Sequence, residues 1–139
     1  MKRYADEPGG TVLGDRADLI VSRIVRVEVP SALWRKHRQH EISADDLVTL
    51  LAWFESDWIR AAHEDGPYQI INLSHGVLEL AASSLLRHPL RAYDALHLAS
   101  AIVSREVDDG VTEFACLDRQ LRAAAHAEGF ALLPANVDR

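Results

Sequence analysis

Residues 112–133, TEFACLDRQLRAAAHAEGFALL, decide the fold. Thr112-Glu113-Phe114-Ala115-Cys116-Leu117 is a short apolar run bounded by turn signals, which is the pattern of a buried strand. Asp118 follows as a favoured N-cap and opens a helix to about Glu128, which Gly129 stops. Phe130-Ala131-Leu132-Leu133 is then a further strand. Short apolar strands separated by helices are the pattern of a parallel sheet, whose neighbours need a crossover connection.

The same alternation runs upstream. A helix is expected from about Ala92 to Glu106, closed by Asp109-Gly110, and before it one capped by Ser74 that runs through about Leu86 to His88-Pro89. Tyr68-Gln69-Ile70-Ile71-Asn72-Leu73 reads as a strand. Ser43-Ala44-Asp45-Asp46 is an N-cap with acids in the first turn, where the helix dipole favours them. Its helix should run to about His63, with Leu47, Leu50, Leu51, Phe54, Trp58 and Ala61 as its apolar stripe and Gly66-Pro67 as its stop. Ser22 can cap a helix from about Ile24 to His40, with Pro30 early in it. Asp18-Leu19-Ile20-Val21 is the first strand expected, and residues 2–7 suit a short helix stopped by Pro8-Gly9-Gly10. Short strands separated by helices imply an α/β fold with a parallel sheet covered on both faces.

Composition bounds the function. At 139 residues the chain is long enough for one domain, 1–139, with one core. Its 48% hydrophobic and 26% charged residues are ordinary for a globular protein. A net charge of −6 argues against a general nucleic-acid binder, yet it suits a metal-dependent nuclease whose ions offset the acids. Cys116 is the only cysteine, so neither an intrachain disulfide nor a Cys-based zinc site can form. With no signal-peptide pattern and no apolar run of roughly 20 residues, a soluble cytoplasmic protein without membrane contact is expected. The seven histidines form no HExxH pair. A nucleotide-binding reading would rest only on Gly9-Gly10 and the fold class, since GxGxxG and Walker A patterns are missing.

Three acids stand out. Asp94 lies in a helix that is apolar nearly all round, where it shares a face with Leu90, Leu98 and Ala101 and is expected to be buried. A buried carboxylate must be paired, hydrogen-bonded or metal-bound; the structural explanation is a pair with Arg91 or His97. Asp118 stands where a strand passes into a helix, the edge at which open parallel sheets collect ligands, although capping alone explains an Asp there. Glu28 lies among Ile24, Val25, Val27, Val29 and Ala32, with an exposed helix charge or a pair with Arg35 as its plain explanations. Three carboxylates converging from separate elements would suit Mg²⁺ or Mn²⁺, hard cations that prefer oxygen. Spacing does not show that they converge.

The segments as a set resemble the PIN domain, particularly the VapC-type toxin ribonucleases. Residues 22–33, SRIVRVEVPSAL, resemble the family's glutamate segment. Residues 90–101, LRAYDALHLASA, resemble its most recognisable motif, and residues 114–121, FACLDRQL, with Ala124-Ala125 and Gly129, resemble the last one. The resemblance covers most of the chain in order. It implies a three-layer sandwich and a divalent-metal endoribonuclease in which Glu28, Asp94 and Asp118 hold Mg²⁺ or Mn²⁺, directly or through water, and hydrolyse RNA phosphodiesters. It further implies a homodimer neutralised by a small antitoxin.

Two departures qualify the resemblance. Family members usually begin with a central strand ending in an Asp, whereas Lys2-Arg3-Tyr4-Ala5-Asp6-Glu7-Pro8-Gly9 resembles the helix and turn that follow that strand. The first strand and its acid are therefore expected to be missing, and Asp6 comes too late to replace the acid. Cys116 stands where a Thr or Ser often precedes the last Asp by two positions. The alternative function is accordingly a catalytically inactive PIN-like module that binds an antitoxin or a second copy of itself. Trp34, Trp53, Phe54 and Trp58 are expected in the core or at a dimer interface rather than as base-stacking platforms. Arg35-Lys36-His37-Arg38, Arg119 and Arg122 are expected to be solvated helix ends.

Overall fold

The computed structural model describes residues 19–137. Along the chain these form β1 (Leu19–Ser22), α1 (Val25–Arg38), α2 (Ala44–Ala62), β2 (Tyr68–Ile71), α3 (His75–Ser84), α4 (Ala92–Val107), β3 (Glu113–Ala115), α5 (Arg119–Ala127) and β4 (Ala131–Leu133). The fold is α/β, with five helices and short strands among the described residues. The helix and turn expected over residues 2–9 lie outside them.

The chain divides into two compact units. One takes residues 24–70 with Leu19 and Ile20 among those described; the other takes residues 21–23 and everything from Ile71 onward. The strands pair two and two, β1 with β2 and β3 with β4, so among the described residues there is no single sheet running through all four. Parallel pairing is as expected for β3 and β4, with Glu113 opposite Ala131, Phe114 opposite Leu132 and Ala115 opposite Leu133.

In the first unit α1 packs on α2. Phe54 and Trp58, one turn apart on α2, are buried, and their rings lie 5.9 Å apart; Tyr68 continues the chain of rings at 6.3 Å from Trp58. Leu50 and Leu51 of the expected stripe are only half-buried. Arg26 of α1 pairs with Glu55 at 2.7 Å and lies over the Phe54 ring, so its charge and its stem both tie the two helices.

Several expected boundaries move. Ser22 is not the cap of α1: it is the buried last residue of β1, and Ile24 takes the N-cap position without a side-chain hydrogen bond. Pro30 lies inside α1, where it removes one i→i−4 bond from the second turn. Ser43 does cap α2, its hydroxyl accepting the Asp46 amide at 3.0 Å. That helix stops before Gly66-Pro67, because Glu64 turns left-handed (φ 61°) and Asp65 donates back to the Arg60 carbonyl. Gly66 serves a different purpose. A Cβ there would lie 2.2 Å from the Ala61 nitrogen, so only glycine lets the chain turn back across the helix end.

The second unit has two linked cores. Small residues, Ala81 of α3 with Ala95 and Ala99 of α4, let those helices approach closely beside Val77. Leu98 and Ile102 on α4 meet Phe114, Leu121, Ala124, Ala125 and Phe130 of the strand–helix–strand unit. The Phe114 and Phe130 rings are 5.9 Å apart. Ser84, Ser100 and Ser104 are buried, and each hydroxyl donates to a carbonyl of the preceding turn, which removes the cost of an unpaired polar group. As expected, Gly129 ends α5, with φ 96°.

Candidate active site

Asp118 is the N-cap of α5. Its Oδ1 accepts the Leu121 amide at 2.9 Å, and the residue is otherwise exposed at the strand-to-helix junction. Asp94 lies in the first turn of α4 and is half-buried rather than buried. The expectation of an all-round apolar helix fails at this end: Ala92 and Tyr93 face water, and burial begins at Ala95. Both acids therefore sit at helix N-termini.

Cys116 stands two residues before Asp118 and is half-buried. Burial pushes its thiol up to about 11; the Arg122 guanidinium opposes the rise, and the charges of Asp118 and then Asp94 add to it. A thiol held protonated at neutral pH is a poor nucleophile.

Arg122 is the residue that sequence reasoning missed. Its guanidinium donates to the Cys116 carbonyl at 2.9 Å and to the Ala135 carbonyl at 3.2 Å. It is a main-chain clamp that fixes the end of β3 next to Asp118, not a solvated helix end. The available signal was its i+4 spacing from Asp118, which puts both on one face of α5. Arg119, by contrast, is exposed as expected.

Glu28 belongs to the first unit, in the first turn of α1, half-buried. Among the described residues no group of three or more His, Cys, Asp or Glu side chains is placed to hold an ion by protein ligands alone. The donor chemistry of Asp94 and Asp118 nevertheless fits a hard cation, since Mg²⁺ is commonly held by one or two carboxylates while it retains several waters. Of the aromatic residues, Phe54 and Trp58 are core, whereas Trp34 and Trp53 are 46% and 60% exposed.

The described residues form an α/β fold in which Asp94 and Asp118 each stand where a helix begins. Two curated proteins of Mycobacterium tuberculosis are similar to it over almost its whole length: Ribonuclease VapC45 of strain CDC 1551 / Oshkosh and Ribonuclease VapC49 of strain ATCC 25618 / H37Rv. Each is 33% identical over 143 residues, covering 99% of this chain and 92% of the relative. No family model and no solved structure matches the chain. On that identity and coverage, the chain belongs to the VapC ribonuclease family. No helix among the described residues is long and apolar enough to cross a membrane.

Proposed function

We propose that the chain is a PIN-like endoribonuclease that uses Mg²⁺ or Mn²⁺ to hydrolyse RNA phosphodiester bonds, with Asp94 and Asp118 as its principal metal-holding acids. The observation that carries this reading is that the chain's relatives are named ribonucleases, with Asp94 and Asp118 each standing where a helix begins. Glu28 is the third acid, on the strength of the motif in residues 22–33.

The ion, when bound, polarises the phosphodiester and lowers the pKa of a water that attacks it. The chain's own residues prepare for this. Asp118 Oδ1 is fixed by the Leu121 amide, so its carboxylate is oriented before substrate arrives. Asp94 is held in the first turn of a helix whose next residue is buried. Arg122 anchors the end of β3 beside Asp118 through the Cys116 carbonyl.

Membership of a toxin family supports two further parts of the reading, a neutralising antitoxin and a homodimer, in the cytoplasm. The test is cleavage of a mixed RNA pool in Mn²⁺ and in Mg²⁺ by this chain and by Asp94→Asn. Expected is cleavage by the native chain that chelation abolishes and the variant reduces by roughly 10²-fold or more, the scale of losing a positioned charge at a reacting centre. Folded native protein that cleaves nothing with either metal overturns the reading and leaves an inactive antitoxin-binding module in its place.

A further inference from the structure

We propose that His88, held by the Glu128 side chain, is a positioning residue for the reaction: it fixes the entry to α4 and, through it, the carboxylate of Asp94. The inference rests on the ribonuclease reading and adds to it a residue that acts through another.

α4 begins without a side-chain cap. Arg91 takes the N-cap position but makes no side-chain cap hydrogen bond, and Ala92 and Tyr93 are exposed. The first backbone bond of the helix runs from the Ala95 amide to the Arg91 carbonyl at 3.0 Å, and Asp94 lies inside that turn. An uncapped first turn opens locally with ease. The chain that leads into it must therefore supply the order that a carboxylate held for an ion requires.

That chain is fastened at His88. Its Nε2 donates to the Glu128 carboxylate at 2.8 Å, beside longer contacts from the Arg87 guanidinium at 3.1 and 3.4 Å. The His88 side chain is 13% exposed against 49% for Arg87, so its contact is the better shielded from solvent. Across Pro89, whose φ is fixed, the Leu90 amide donates to the His88 carbonyl at 2.9 Å, and Leu90 packs on both cores of the unit. A displacement of His88 is thus carried on to Arg91 instead of being absorbed. The receiving end is anchored as well. Glu128 is the C-cap of α5, the helix that Asp118 opens, and its carbonyl accepts from Arg105 of α4 at 2.6 Å. One contact therefore ties the entry of α4 to the far end of α5.

The test uses the full chain. Amide hydrogen exchange at Ala95 is read by NMR without metal, and kcat and KM are measured on a short oligoribonucleotide in saturating Mn²⁺. The variants are His88→Ala, Glu128→Ala, His88→Gln and, as a control, Ser43→Ala, which removes the cap of α2 in the other unit and so lowers stability without touching the α4 entry. Glu128→Ala should fold, because Arg105 still holds the carbonyl at that helix end. Both His88→Ala and Glu128→Ala should lose Ala95 protection and lower kcat by roughly 10- to 100-fold with KM little changed. His88→Gln, which keeps an N–H donor, should recover most of both. Ser43→Ala should change neither, since a first turn exchanges through local opening. A native chain that cleaves while His88→Ala matches it in Ala95 exchange or in kcat, or departs from it no further than Ser43→Ala does, overturns this inference and leaves the ribonuclease reading standing. So does a His88→Gln variant as impaired as His88→Ala. A native chain that cleaves nothing overturns both.

Discussion

Asp118 Oδ1 accepts the Leu121 amide and so closes the first turn of α5, while the same carboxylate lies near enough to Cys116 to act on its charge. Capping and metal holding make different demands. A cap needs one acceptor oxygen, which Asn supplies as well as Asp, whereas a hard cation prefers the charged carboxylate. The two roles can therefore be separated by a pair of substitutions. Asp118→Asn should unfold within about 0.5 kcal/mol of the native chain, yet lose most of its metal-dependent cleavage. Asp118→Ala should lose the cleavage and also about 1 kcal/mol of stability, the ordinary cost of an N-cap. Denaturant unfolding together with an RNA cleavage assay checks both. Full activity in the Asn variant would leave Asp118 as a cap and nothing more. Asp118 was ambiguous in the sequence because the residue type that caps helices is also one that binds hard cations.

The end of α5 is held from three directions. Gly129 turns the chain left-handed, Arg105 donates to the Glu128 carbonyl at 2.6 Å and lies 4.2 Å above the Phe130 ring, and the Glu128 side chain accepts from His88 at 2.8 Å and Arg87 at 3.1 Å. The His88 hydrogen bond, and after it that of Arg87, holds the Glu128 carboxyl below its ordinary 4.5, against the opposing effect of partial burial. A carboxyl whose folded pKa is depressed adds stability that is fully present above the unfolded value and is lost as pH falls through the folded one. Glu128→Gln should thus cost up to about 1 kcal/mol at pH 7, no more than a largely solvent-screened ion pair is worth. The gap should close as pH falls below the ordinary 4.5 and on through the depressed folded value. Urea unfolding of both chains across that range measures it, and a gap independent of pH would mean that the contact contributes through packing alone. The glycine stop and the helix itself were legible, because punctuation and apolar periodicity are local signals. The partners of the Glu128 side chain were not, since they lie forty residues or more away in sequence.

At the scale of the molecule, period and punctuation located every described helix and strand to within a few residues, but not the pairing of the strands. A strand's apolar run is satisfied by any neighbour, so β1–β2 and β3–β4 as separate pairs follow from tertiary contacts that no local pattern encodes. The candidate site rests on residue types in the motifs around Asp94 and Asp118, and the half-burial of Asp94 was hidden in the sequence by the apolar residues that follow it. The net charge of −6 joins site and stability. Acids brought together repel in the folded state, and an ion that binds the folded chain but not the unfolded one relieves that repulsion. With Mn²⁺ at about 100 times its dissociation constant, mass action adds about 2.7 kcal/mol, which for a domain of this size corresponds to a rise in Tm of roughly 5–10 °C. Chelation should return Tm to its starting value. Sodium chloride at matched ionic strength should give much less, because it screens charge generally and occupies no site. Asp94→Asn should remove most of the Mn²⁺-specific rise. An equal rise in that variant would place the ion elsewhere on the acidic surface, and with it the metal chemistry assigned to Asp94 and Asp118.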